Sequence, residues 1–406
     1  MNILIDFLTV STYTGAGEYH RKVFYTLLDY IRDKQISDIK LFALYDSSTP
    51  VVYNDLLPKQ LGDVVEYVNI NGLDIREIIN KKHIDLFFIV CAQNLNRIPG
   101  LLHIECKVVC VIHDLAFEEI ENNGISTFCF SIRPKSKEMA SLTWKWKLLS
   151  WFTGYKSDNF ELWYRTNKSL DKVSNLSNIV KAISTNMNYD VIVVSEYTKF
   201  SLVYNYSIPQ ERITVLYSPE RFVEDKAIIE NKLLQDIIQE NKKYYLMLSA
   251  NKEHKNPYKT VNAFKRYVQD NSDIYLVTVG YRQESHFANH IVLPFLSDSD
   301  LHNAIKYCYA LLYPSFFEGF GYPPVEAMHY GKPVLCSYTT SMPRIYGDAP
   351  IYFSPIYESG IYEALSTLDD KNYEIYALKS RQQYEVISKR QQNDLKILIK
   401  KVLNEH

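Results

Sequence analysis

Two glutamates frame a glycine-containing loop in the last third of the chain. Glu318 lies inside the loop, and Glu326 follows eight residues later in a predicted helix. A carboxylate in such a loop can accept hydrogen bonds from sugar hydroxyls, and one in the first turns of a helix can bind the paired hydroxyls of a ribose. Gly319 and Gly321 would allow backbone N–H groups to approach a ligand closely. Two solvated surface glutamates would give the same pair, so the pair alone leaves both interpretations open.

The elements around this loop are those of a phosphate-binding α/β unit. The apolar run 310–313 predicts a buried strand, and residues 334–337 predict a second one. Between them we expect a helix at about 323–330, with prolines in its first turn and Gly331 at its end. Strand, glycine loop, helix and strand in this order form the half of an α/β unit that binds phosphate groups.

A longer signature covers residues 314–334. They read Pro-Ser-x-x-Glu-Gly-Phe-Gly-x-Pro-x-x-Glu-Ala-Met-x-x-Gly-x-Pro-Val. This string closely resembles the signature of the GT4 family of retaining glycosyltransferases, which have the GT-B fold. The resemblance implies an α/β protein with two Rossmann-like domains that face each other across a cleft, and a C-terminal helix that crosses back to the N-domain.

The same resemblance implies the domain limits. We expect an N-terminal acceptor domain at 1–219 with an insertion at about 116–188. A C-terminal nucleotide-sugar-binding domain follows at 220–385, and a terminal helix at 386–406 packs back on the first domain.

The family also implies roles for the loop residues. Glu318 would act in catalysis by holding the hydroxyls of the donor sugar, and Glu326 would bind the ribose of the donor. The acceptor would attack on the face of the leaving group, and a phosphate oxygen would take its proton, so no dedicated nucleophile is expected. The remaining donor-binding residues implied here are Gly319, Phe320, Gly321 and Tyr322.

A basic segment opens the second domain at residues 250–257. GT4 enzymes carry an arginine and a lysine here, and both bind the leaving diphosphate. Lys255 matches the lysine and is predicted to be catalytic, but the arginine is missing and Lys252 is the nearest cation. A lysine cannot make the bidentate contact with phosphate that an arginine makes, so Lys252 is predicted only to bind the donor.

Two places in the first half of the chain belong to the predicted cleft. Gly15 and Gly17 lie between a first strand and its helix, where the family places a glycine loop beside the donor's diphosphate; a flexible turn would use the same residues. His113 and Asp114 end a buried strand, and ligands of open α/β sheets bind beyond such strand ends. His113 is predicted to be catalytic and Asp114 to contact the acceptor, while a structural His–Asp pair is the alternative.

The predicted insertion contains one helical face of large apolar residues. Trp144, Leu148 and Trp151 have i, i+4 and i+7 spacing, and Lys145 and Lys147 flank them. A membrane-interfacial helix, an acceptor-binding wall and a core helix all fit this pattern. Trp144 and Trp151 are therefore weak candidates for acceptor binding.

Composition excludes several classes of protein. The chain has 406 residues and a net charge of −2, which gives no reason to expect nucleic acid as a partner. Its six cysteines include no Cys-x-x-Cys pair, which favours buried thiols over a zinc site. No signal peptide and no membrane span are predicted. We expect a cytoplasmic protein, with peripheral contact at the inner face of the cytoplasmic membrane as a further hypothesis.

The segment Asp298-Ser-Asp300 resembles the Asp-x-Asp metal motif of another class of glycosyltransferases. We reject that interpretation, because Ser297 and Asp300 have the spacing of a capping box at the start of a helix. The predicted site therefore holds no metal and no cofactor. Its donor would be a nucleotide sugar of the UDP or GDP type.

The resulting prediction is transfer of a sugar, with retention, from a nucleotide-diphosphate donor to a hydroxyl of a glycan, glycolipid or glycoprotein. The expected setting is the synthesis of surface polysaccharide or glycoconjugate. Two alternatives keep the fold: a non-catalytic partner subunit of a transferase, and a nucleotide-sugar epimerase. A dinucleotide oxidoreductase is excluded, because Gly15 and Gly17 lack a third glycine at the required spacing.

Overall fold

Two parallel sheets organise the part of the chain that the computed structural model describes, residues 1–8, 15–47, 64–92, 98–115, 179–221, 228–285 and 287–405. The first sheet has seven strands in the order β3-β2-β1-β4-β5-β6-β7, and the second has six in the order β10-β9-β8-β11-β12-β13. All neighbouring strands in both sheets are parallel. The predicted GT-B architecture of two Rossmann-like domains is confirmed.

The strands of the first sheet are β1 Asn2–Asp6, β2 Lys40–Tyr45, β3 Val65–Asn69, β4 Leu86–Ile89, β5 Lys107–Ile112, β6 Tyr189–Val193 and β7 Ile213–Val215. Those of the second are β8 Lys243–Met247, β9 Ile274–Val279, β10 His290–Leu293, β11 Ala310–Tyr313, β12 Val334–Ser337 and β13 Ile351–Phe353. Most of their residues are apolar and buried, as expected for parallel strands covered on both faces.

The α-helices with described bounds are α1 Gly15–Asp33, α2 Ile75–Lys82, α3 Glu196–Tyr206, α4 Lys232–Gln239, α5 Pro257–Tyr267, α6 Asp298–Tyr307, α7 Tyr322–His329, α8 Met342–Tyr346, α9 Glu358–Thr367 and α10 Tyr373–Val402. Short 3₁₀ turns lie at Leu101–His103, Gln210–Arg212 and Glu253–Lys255. Side-chain caps fix several starts: Ser195 accepts a hydrogen bond from the Thr198 N–H, and Asn231 accepts one from the Leu234 N–H.

The long terminal helix α10 contacts the first domain, as predicted. The Asp394 carboxylate accepts a hydrogen bond of 2.8 Å from the Tyr217 N–H, and the Gln391 amide donates one of 2.7 Å to the Ser218 carbonyl. Leu398, Ile399 and Val402 belong to an apolar cluster that contains core residues of both sheets. The helix therefore joins the two domains through buried contacts.

The domain limits stay predictions. The predicted boundary at 219/220 falls between β7 and α4, and the predicted terminal unit 386–406 is the second half of the single helix α10. Most of the predicted insertion, including Trp144 and Trp151, lies outside the described residues, and residues 179–185 at its end are helical. None of the helices in the described ranges is both long enough and apolar enough to cross a bilayer.

Both sheets reverse their strand order beside the first strand of their domain. The reversal lies between β1 and β4 in the first sheet and between β8 and β11 in the second. Open α/β sheets bind ligands at the carboxyl ends of strands next to such a reversal. The segments that follow these strands should therefore form the site.

Candidate active site

One cleft of about 440 Å³ collects most of the predicted site residues. Its wall includes Gly15, His113 and Asp114 from the first domain. From the second domain it includes Lys252, Lys255, Glu318, Gly319, Phe320, Gly321, Tyr322 and Glu326. The cleft thus lies between the domains, where the fold predicts a ligand site.

A buried ion pair joins the basic segment to the glycine loop. The Lys255 ammonium contacts the Glu318 carboxylate and also donates a hydrogen bond of 2.8 Å to the Tyr313 hydroxyl. Only 10% of the Lys255 side chain and 12% of the Glu318 side chain are exposed. Burial alone would raise the pKa of Glu318, but the charge of Lys255, the influence of His254 and the hydrogen bonds from Lys255 and Ser315 together hold this pKa below its ordinary value. Glu318 is therefore ionised at neutral pH.

The residues that hold Glu318 in place come from the segment before and within α8. Thr340 Oγ1 lies 3.1 Å from the Glu318 N–H, and the Ser341 hydroxyl donates to the Glu318 carbonyl at 2.8 Å. The Tyr346 hydroxyl lies 2.8 Å and 2.7 Å from the carbonyls of the next loop residues, Phe320 and Gly321. No motif marks these supports, because they are ordinary polar residues more than 20 positions away from the residues that they hold.

Gly319 brings the two domains together. A Cβ atom at this position would lie 2.0 Å from the backbone oxygen of His113 and 3.0 Å from Cβ of Asp114. Gly321 has a left-handed backbone, with φ of 82°, which favours glycine. Glycine is therefore required at the two positions for different reasons. At Gly319 the two loops approach too closely for a side chain, and at Gly321 the backbone conformation favours glycine.

Glu326 lies on α7 and pairs with an arginine that sequence reasoning missed. Arg221 Nη1 is 3.1 Å from Glu326 Oε1, while Nη2 is 3.4 Å from Asp298 and Nε is 3.8 Å from Glu18 on α1. Burial alone would lower the pKa of Arg221, but these carboxylates together hold it above its ordinary value. Nothing in the sequence around Arg221, which follows the predicted domain boundary at 219/220, indicates such a position.

The predicted phosphate-binding lysines differ in their surroundings. Lys252 is exposed at the cleft, and partial burial together with the charge of Lys255 lowers its pKa. His254, which we did not predict, also lines the cleft; burial lowers its pKa to about 4, so it is neutral at neutral pH. Its carbonyl accepts a hydrogen bond of 2.8 Å from the Phe316 N–H, which ties the basic segment to the glycine loop.

His113 has a defined hydrogen-bonding state. Its Nε2 lies 3.0 Å from the Val90 carbonyl oxygen, which can only accept, so Nε2 carries the proton and Nδ1 is an acceptor. Burial lowers its pKa to about 4, which keeps the ring neutral. Gly15 lies beside the Tyr322 ring and is part of the cleft wall. Gly17 is buried in the first turn of α1 and is not part of that wall.

The carboxylates of the Asp298-Ser-Asp300 segment bind other residues of the fold. Ser297 Oγ accepts a hydrogen bond of 3.2 Å from the Asp300 N–H, as expected for a cap. The Asp300 carboxylate binds the N–H groups of Glu230 and Asn231 at 2.8 Å and 3.1 Å instead of returning to Ser297. Ser297 therefore caps the helix as predicted. The Asp300 side chain instead binds the backbone of the segment that precedes α4.

Comparison with known proteins supports the fold and the signature. The crystal structure of Anabaena HepE in complex with UDP superposes with a TM-score of 0.64 and 13% identity, and the match covers 100% of both chains. The model of the family described as glycosyl transferases group 1 matches residues 229–350. This match supports the predicted GT4-like resemblance over those residues. The matched residues, like the signature at 314–334, lie in the second domain.

Two relatives of this chain are named mannosyltransferases. The O-antigen chain mannosyltransferase B of Escherichia coli is 44% identical over 63 residues, which is 16% of each chain. The O-antigen chain mannosyltransferase RfbU of Salmonella typhimurium is 26% identical over 192 residues, 44% of this chain and 50% of the relative. This chain thus matches half or less of the length of these two relatives.

Proposed function

We propose that this protein transfers a sugar from a nucleotide-diphosphate donor to a hydroxyl of a glycan or lipid-linked acceptor, with retention of anomeric configuration. One observation carries the proposal. The Lys255–Glu318 pair and the Glu326 carboxylate line one cleft between two Rossmann-like domains. A nucleotide sugar carries a diphosphate, which a cation can bind. It also carries hydroxyl groups on its ribose and on its sugar, which the two carboxylates can bind.

The donor would extend along the second domain. Glu326 Oε2 is buried without a hydrogen-bond partner among the described residues, so it is available to ribose hydroxyls. Leu248, Val279 and the exposed ring of Phe295 give the cleft an apolar part that suits a base. Lys255 and Lys252, which also line the cleft, would bind the diphosphate that connects ribose and sugar.

The chemistry follows from charge. The bond between the anomeric carbon and the diphosphate oxygen breaks, a bond to the acceptor oxygen forms on the same face, and a phosphate oxygen takes the acceptor's proton. Lys255 and Lys252 would stabilise the negative charge that develops on the leaving diphosphate. Glu318 would hold the donor sugar while positive charge develops at its anomeric carbon, and Nδ1 of His113 can accept a hydrogen bond from a hydroxyl.

We propose that no divalent cation takes part in this step. The lysines supply the positive charge, and Asp298 and Asp300 already bind groups within the fold. The relatives named as O-antigen chain mannosyltransferases support surface polysaccharide as the product class. HepE was crystallised with UDP, which makes a UDP-type donor one of two to test, beside the GDP type. Peripheral attachment to a membrane stays a prediction.

Thermal shift with a panel of UDP- and GDP-sugars tests the donor, and NMR of the product of the best binder tests retention. We expect one nucleotide class to raise the melting temperature and transfer to give the donor's anomeric configuration. Conversion of the donor without acceptor would identify an epimerase instead. Binding without turnover, restored by a second protein, would identify a non-catalytic subunit.

A further inference from the structure

Arg221 lies at the junction of the two domains and is surrounded by carboxylates. Its side chain is only 13% exposed. The three carboxylates that face it come from α1 in the first domain and from α6 and α7 in the second, and they belong to Glu18, Asp298 and Glu326. Burial of a charged guanidinium costs free energy unless carboxylates in fixed positions pair with it. The arginine therefore also fixes its partners.

The two carboxylate oxygens of Glu326 have different surroundings because of the contact with Arg221. Oε1 is 3.1 Å from Arg221 Nη1, while Oε2 is buried and has no hydrogen-bond partner in the described part of the chain. Buried carboxylate oxygens normally accept hydrogen bonds. Both residues line the cleft, so a ligand hydroxyl can supply the missing donor.

A small cavity behind Glu326 offers a different partner. It has a volume of about 20 Å³, room for a single water molecule, and His302 in its wall has two ring nitrogens without partners among the described residues. A water there would satisfy Oε2 without any ligand. The two explanations differ in whether ligand affinity depends on Arg221.

We propose that Arg221 is a positioning residue for donor binding: it holds Oε1 of Glu326 so that Oε2 accepts hydrogen bonds from the ribose hydroxyls. The inference rests on the proposed function, because it assumes a nucleotide donor. A planar guanidinium directs its N–H groups along fixed lines, which sets the orientation of a carboxylate in a way that a lysine cannot. The contact with Glu18 places this control at the domain junction.

The test compares nucleotides that differ by one hydroxyl. Isothermal titration calorimetry measures the affinity of UDP and GDP and of their 2′-deoxy forms for the wild type and for Glu326→Gln, Arg221→Gln, Arg221→Lys and Lys252→Gln. We expect the wild type to prefer the ribonucleotide of the class it binds by roughly 10- to 100-fold, as for a hydrogen bond to a charged group. Glu326→Gln and Arg221→Gln should both lose most of this preference.

The double variant Arg221→Gln/Glu326→Gln should show no further loss, because both changes remove one contact. Arg221→Lys keeps the charge without the planar geometry, so its preference should fall between those of the wild type and Arg221→Gln. Lys252→Gln is the matched control: it should weaken the ribo and deoxy forms equally and leave their ratio unchanged. Thermal unfolding establishes that each variant is folded, and Arg221→Lys decides the matter if Arg221→Gln does not fold.

Three outcomes count against the reasoning at different levels. A wild type that binds neither nucleotide class overturns the proposed function itself. A preference lost in Glu326→Gln but kept in both Arg221 variants overturns the positioning role alone. A preference that Glu326→Gln retains shows that Oε2 binds water and not ribose, which also overturns the inference.

Discussion

Replacing Gly319 with alanine tests whether the cleft must close as the structure shows. The new Cβ atom would lie 2.0 Å from the His113 backbone oxygen, whereas ordinary carbon–oxygen contacts are ~3.3 Å. The two loops would have to separate by ~1.3 Å, and a misplacement of about 1 Å between reacting groups can reduce a rate ~10²-fold. Gly319 has no left-handed backbone, so alanine itself brings no conformational strain. We expect kcat for sugar transfer to fall ~10²-fold.

Gly15 provides the matched control in the same cleft. A Cβ atom there would lie 3.4 Å from the Tyr322 ring, an ordinary contact, and this glycine also has no left-handed backbone. Gly15 is itself a predicted donor-binding residue, so Gly15→Ala should act mainly on KM for the donor, and it should lower kcat much less than Gly319→Ala does. Nucleotide affinity should change little in Gly319→Ala, because Lys255 and Glu326 both belong to the second domain. Steady-state kinetics with saturating donor measures kcat, and Gly319→Ala within about threefold of Gly15→Ala would refute the need for this contact.

The remaining predictions concern charge, metal, membrane and pH. Glu318→Ala should reduce transfer ~10²–10³-fold at saturating donor, as for the loss of one oriented polar contact to a transition state; more than half the activity retained would contradict its role. Activity in excess chelator should stay near the untreated level, and a loss that only Mn²⁺ or Mg²⁺ restores would reinstate the metal interpretation of the Asp-x-Asp segment. Exchanging Trp144 and Trp151 for serine should reduce liposome flotation while activity on a soluble acceptor survives; a melted fold would instead identify core residues. His113 and His254 have pKa values near 4 in the fold against 6.5 for an ordinary histidine, so the unfolded chain binds more protons between these values. The free energy of unfolding should therefore fall as the pH falls from 6.5 to 4, by denaturant titration, and His113→Asn should flatten that slope.

Strands of the second domain were predictable because their sequence signals are local. The runs 310–313 and 334–337 have the same limits in the sequence prediction and in the structure. Each is a short apolar run, and in a parallel sheet both faces are buried. No knowledge of tertiary contacts is needed to find such a strand.

Two helices of the same domain were missed because tertiary contacts define them. The helix α8 has only five residues, and the hydrogen bonds from its Tyr346 hydroxyl to the glycine loop cannot be predicted from its sequence. The helix α9 contains Gly360, a poor helix former. A Cβ atom there would lie 2.7 Å from the Ser354 carbonyl oxygen, so the glycine is required by the preceding turn.

The candidate site shows the same division between local and tertiary signals. Glu318 and Glu326 lie in a continuous signature, and the structure brings both into one cleft with Lys255. Arg221 contacts three carboxylates that are distant from it in sequence, among them Glu18. Such a residue has no motif, since its role exists only once the domains meet.

The missing arginine of the basic segment acquires a physical explanation in the Lys255 contacts. An ammonium group has three N–H donors, and here one contacts Glu318 and another the Tyr313 hydroxyl. In the proposed function the third donor would bind a diphosphate oxygen. The pair would then align the lysine and the donor sugar together, because Glu318 orients the ammonium while its other oxygen accepts a sugar hydroxyl. On this view a well-held Lys255, together with Lys252, would supply part of what a phosphate-binding arginine supplies.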